Sequence, residues 1–114
     1  MTDRELLELA AKAAGIRHPA YMERGHSAGI NRGPAEPLWN PLTDDGDALR
    51  LAVKLFLFVD TAAGAPDSFG AEFVRAGNEV VDFVEPRSNC DPYAATRRAI
   101  VRAAAAIAQQ KGGV

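Results

Sequence analysis

"GAEFVRAGNEVVDFVE" (residues 70–85) decides how this chain folds. Apolar residues alternate on each arm, and Gly77 and Asn78 separate the two arms. That pattern predicts an antiparallel β-hairpin, half buried on one side. A hairpin cannot bury its apolar face alone, so helices must come from the flanking sequence.

Upstream, "FLFVD" (residues 56–60) is aromatic and β-branched and reads as a third strand of the same sheet. Before it, Leu49, Leu51, Ala52, Val53 and Leu55 predict a helix over about residues 45–55. Downstream, "NCDPYAATRRAIVRAAAAIAQQKGG" places Asp91 as N-cap, Pro92 at the first helical position and Gly112 just past the end. Near the start, Thr2 and Glu5 have capping-box spacing. Leu6, Leu7, Leu9, Ala10, Ala13 and Ala14 form an apolar face that stops at Gly15. Residues 16–41 are broken by Gly25, Gly29, Gly33, Pro34, Pro37 and Pro41, with room for one short strand at residues 20–24. A stretch this long with little regular structure is often a functional loop. The expected order is α–β–α–β–β–β–α: an α+β fold, a small layered sandwich in a single domain over residues 1–114, its hairpin sheet packed by helices.

Composition narrows the function. An apolar content of 47% and a charged content of 25% are those of an ordinary globular domain. The net charge of -2 supplies no overall attraction to nucleic acid or anionic membrane, so a polyanion site needs a local basic patch. A single cysteine, Cys90, excludes an intrachain disulfide framework and fits a reducing cytosol. "MTDRELLELAAKAAG" lacks the apolar core of a signal peptide, and no apolar run reaches membrane-spanning length. A cytoplasmic protein is expected.

Asp44, Asp45 and Asp47 are the first candidates for chemistry. Their spacing is not that of a calcium loop, and no second acidic cluster supports two-metal work. A helix start needs acceptors there, so capping is the preferred reading over metal binding. His18 and His26 lack metal-ligand spacing with each other or with Cys90, and no histidine is placed to orient that thiol. The glycines at 25, 29 and 33 form neither a dinucleotide fingerprint nor a P-loop. No catalytic constellation and no cofactor are expected. Trp39 reads either as a core plug or as a platform for a nucleobase.

Arg97, Arg98 and Arg102 remain, on the last helix. Arg98 and Arg102 share one face, with no acid three or four residues away within the helix. One reading is a solvated face, or cross-helix pairing with Glu5, Glu8 or Asp47. The other is an anion site, because paired guanidinium groups suit phosphate or carboxylate.

"WNPLTDDGDALRLAVKL" (residues 39–55), the hairpin strands and the closing "DPYAATRRAIVRAA" (residues 91–104) resemble the small phage and prophage proteins of the phage ABA-sandwich family. Some proteins of this kind are Thoeris anti-defence sponges, which bind cyclic ADP-ribose isomers or cyclic oligonucleotides without turnover. They act as homo-oligomers. Two arginines four apart on their C-terminal helix line the cyclic-oligonucleotide site, and Arg98 and Arg102 match that pair. The closing helix departs from the family's usual Thr-Pro-Ala-Leu-Ala opening and adds Arg97. The resemblance implies a ligand-binding aromatic and an asparagine, for which Trp39, Phe73 or Tyr93 and Asn78 or Asn89 are candidates. It implies a non-enzymatic protein of the host cytosol that sequesters a nucleotide-derived immune signal. Separately, the net negative charge and the lack of a helix-turn-helix pattern weaken a DNA-associated role, and the lack of a spanning apolar run argues against a membrane partner. The rival expectation is a protein-interaction inhibitor of a host defence complex, its acidic balance mimicking nucleic acid or masking a host surface.

Overall fold

The computed structural model describes residues 1–63, 73–86 and 91–112. The elements are α1 (Asp3–Ala13), β1 (Tyr21–Arg24), β2 (Ser27–Ile30), α2 (Asp45–Lys54), β3 (Phe58–Ala63), β4 (Phe73–Gly77), β5 (Asp82–Pro86) and α3 (Pro92–Gly112). The fold is α+β, with an antiparallel pair β1–β2 and an antiparallel sheet in the order β3–β4–β5. Among the described residues no helix is long and apolar enough to cross a membrane.

Helix α3 is central. Ala95, Ala99, Ile100, Val101, Ala103, Ala104 and Ala105 are all buried, which places apolar contacts nearly all round the helix. One side meets Val74 and Ala76 of the sheet, and another meets Ala10 and Ala11 of α1. Alanine on both facing surfaces lets the α1 and α3 backbones approach closely, so packing replaces the area that larger side chains would bury.

Helix α1 starts and stops where the sequence indicates. Thr2 accepts a hydrogen bond from the Glu5 N–H (3.1 Å). At the other end Gly15, at φ 88°, closes a Schellman turn, with Ile16 N–H donating to Ala11 C=O (2.9 Å). Helix α2 ends in the same motif with a different residue. Leu57 N–H donates to Ala52 C=O (2.9 Å), and the left-handed position is filled by Phe56 at φ 55°. Phe56 and Leu57 therefore terminate a helix instead of opening a strand, and β3 begins only at Phe58. Left-handed backbone is costly for a residue with a Cβ, and Phe56 is 90% exposed, so little packing offsets it. Phe56→Gly is expected to raise stability by about 1 kcal/mol, read as a higher urea midpoint at unchanged slope.

The expected single strand at residues 20–24 proves to be half of a hairpin. Arg24 pairs with Ser27, leaving Gly25 and His26 as a two-residue turn, with Gly25 at φ 62°. β2 is then continued by an isolated bridge, with Ile30 N–H donating to Trp39 C=O (2.8 Å) and Trp39 N–H to Ile30 C=O (2.9 Å). A Cβ on Gly29 would lie 2.5 Å from the Trp39 carbonyl oxygen, so this approach requires glycine. The bridge folds the 31–38 loop back and seats the Trp39 indole in the core, 7% exposed.

The β4–β5 hairpin forms, but its turn is longer than Gly77 and Asn78 alone. Gly77 still pairs, with Asp82, and residues 78–81 make the turn. The Asn78 side-chain oxygen accepts from the N–H groups of Val80 (2.8 Å) and Val81 (2.9 Å). On the outer face of the sheet, Arg75 grips Asp82 with three hydrogen bonds (2.8, 3.0 and 2.7 Å) and stacks over Phe58. Hydrogen bonding to Arg75 holds the Asp82 carboxyl below its ordinary range. The pair thus stabilises the sheet above the usual carboxylate pKa and loses its effect as pH falls through the lowered value.

Candidate functional site

Asp91 caps α3, its carboxylate accepting from Tyr93 N–H (2.9 Å), and Pro92 opens the helix. This start sets the direction of the three arginines that follow. Arg97 is fully committed to structure. Its Nε donates to the Leu42 carbonyl (2.8 Å) and its Nη1 to Asp45 (2.6 Å), clamping α3 to the start of α2.

Arg98 and Arg102 project into one cleft of about 460 Å³, bordered by Leu6, Phe83, Glu85 and Gln109. Neither arginine is without a counter-ion. Arg98 donates to Asp3 (3.2 Å) and Arg102 to Glu85 (2.5 Å). None of Glu5, Glu8 or Asp47 pairs with them: Glu8 meets Arg4 and Asp47 meets Arg50. The two pairs differ in kind. Asp3 and Arg98 are both well exposed, at 67% and 41% of their side chains, and share one long bond. Glu85 is mostly buried, and Arg102 also lies over the Phe83 ring, 4.7 Å from its centroid. Exposed pairs contribute little, so Asp3 is readily exchanged, whereas the Glu85–Arg102–Phe83 unit is a fixed part of the wall.

The aromatic in the cleft is Phe83, which the sequence reading did not single out. Strand parity puts Phe83 and Glu85 on one face of β5, opposite Asp82, and this was the available signal. The other proposed ligand residues lie elsewhere. Trp39 is buried in the core, so a nucleobase has no access to its faces. Tyr93 is exposed but lines a separate groove with Leu49, Val59 and Arg97. The Asn78 side chain is taken by its own turn. Phe73 sits opposite Pro86 in the sheet. Asn89 lies outside the described residues, as does Cys90.

The aspartates at the start of α2 are all occupied. Asp44 caps the helix by accepting from Asp47 N–H (2.8 Å), and Asp45 holds Arg97. Asp47, only 3% exposed, accepts from Asn40 N–H (3.0 Å) and Arg50 (2.8 Å). Among the described residues no group of three or more His, Cys, Asp or Glu is placed to hold a metal ion.

The Arg98–Arg102 cleft presents two guanidinium groups, each paired with a carboxylate, together with an aromatic ring and an amide side chain. The chain matches no family model, no curated protein and no solved structure.

Proposed function

We propose that the protein is a non-catalytic binder that sequesters a nucleotide-derived small molecule in the Arg98–Arg102 cleft. The observation that carries this reading is that both guanidinium groups line the same cleft beside Phe83. A phosphate displaces the exposed Asp3 carboxylate from Arg98 and gains a charge-assisted bond, while the base packs at the Phe83–Arg102 edge. The resemblance to phage sponge proteins supplies the fuller form: a homo-oligomer in the host cytosol that removes cyclic ADP-ribose isomers or cyclic oligonucleotides made as immune signals. Sequestration needs tight stoichiometric binding and no turnover.

Calorimetry against a panel of cyclic nucleotides and cyclic ADP-ribose isomers tests it. At least one compound is expected to bind, with Arg98→Gln weakening it about tenfold at unchanged stability, since the Arg98–Asp3 pair is exposed. No heat with any of them, from folded protein, ends this reading.

That result would favour a protein-interaction inhibitor, which has its own supporting observation. Leu49 and Val53 form a short exposed apolar stripe on α2, with Phe56 exposed just past its end and Tyr93 in a groove beside Leu49. Such a stripe suits a partner protein or a second copy of this chain.

A further inference from the structure

A second cleft, of about 630 Å³, lies between the β1–β2 hairpin and the start of α2, away from the Arg98–Arg102 cleft. Three arginines from different segments line it: Arg24 on β1, Arg32 in the loop after β2 and Arg50 on α2. We propose that this cleft is an independent binding site for a small, hydroxyl-bearing phosphate ester such as a sugar phosphate.

The charge balance is the first argument. Three guanidinium groups face two carboxylates, Asp44 and Asp47, and both of these already accept backbone N–H groups. Arg24 donates to the Glu36 carbonyl (3.2 Å) and the Met22 sulfur (3.6 Å), neither of which offsets its charge. The cleft therefore carries surplus positive charge in a protein of net charge -2.

The second argument is preorganisation. Buried Asp47 holds Arg50 at 2.8 Å and lies 3.6 Å from Arg32, whose Nε is pinned to the Pro37 carbonyl (3.0 Å). Arg32 is thus fixed along one edge and Arg50 is anchored by a buried carboxylate, while their remaining N–H groups are able to donate. Donors on several sides suit the oxygens of a tetrahedral phosphate better than a planar carboxylate, which takes one bidentate fork. The volume exceeds that of phosphate alone and lies within the range of small-ligand sites, roughly 300–1,000 Å³. The exposed Asp44 carboxylate provides an acceptor for a sugar hydroxyl.

The arginine Nε–Hε signals in a 15N NMR spectrum report on these groups directly, with ribose 5-phosphate as probe and ribose as control. Ribose 5-phosphate is expected to shift the signals of Arg24, Arg32 and Arg50, and ribose to shift none. Arg24→Gln and Arg50→Gln, both at exposed side chains, should each weaken binding roughly tenfold. Arg98→Gln should leave it unchanged, which separates this site from the proposed nucleotide cleft. Absence of shifts, shifts confined to Arg98 and Arg102, or affinity unaltered in both Arg24→Gln and Arg50→Gln would overturn the proposal.

Discussion

Asp47→Ala should cost the fold about 3 kcal/mol in urea denaturation, among the largest single losses available to this chain. The carboxylate is 3% exposed and ties α2 to the turn before it. Its removal leaves the Asn40 N–H, bonded at 3.0 Å, without its acceptor, and releases Arg50 and Arg32 together. Asn40 is itself buried, donates from its side chain to Ala28 C=O (2.8 Å) and accepts from Leu42 N–H (2.9 Å), so the damage spreads to the β1–β2 hairpin. Asp47→Asn keeps an acceptor for the backbone and should lose about half as much. A loss below about 1 kcal/mol for Asp47→Ala would mean that water replaces the carboxylate easily.

Gly77→Ala should be comparably damaging, by about 3 kcal/mol, although it adds a single methyl group. An added Cβ would sit 2.1 Å from the Val81 carbonyl oxygen and 2.9 Å from the Asp82 Cα. Both obstacles are backbone, so no flexible side chain can swing aside. Relief requires opening the turn, which breaks the Asn78 N–H to Val81 C=O bond (2.8 Å) and weakens the Asn78 side-chain bonds. A near-neutral result would show that the β4–β5 turn has another conformation of similar energy. Thermal or urea unfolding measures either outcome.

Gly77 also shows how far the sequence could be read. The alternation along β4 and β5 was legible because their inner face packs on one helix, but the turn length depended on which Asn78 atoms bond. The limits of α1 and the start of α3 were legible for a local reason, since Thr2, Gly15, Asp91 and Pro92 act within a few residues of themselves. β2 was hidden because its residues do not alternate and its order comes from distant Trp39. Trp39 offered two readings, and only the Ile30 bridge places its ring inside. At Arg98 and Arg102 the spacing revealed a common face. Their counter-ions stand 95 and 17 residues away in sequence, out of reach of any local pattern.

The α3 arginines each reach a different neighbour: Arg97 to Asp45 of α2, Arg98 to Asp3 of α1 and Arg102 to Glu85 of β5. Any anion that takes Arg98 competes with the opening turn of α1. The exchange is cheap, because the Arg98–Asp3 pair is well exposed and the Thr2 cap that starts α1 does not depend on it. In the proposed binding, Asp3 is therefore a weak local competitor for Arg98 that can leave with little loss to the helix it opens.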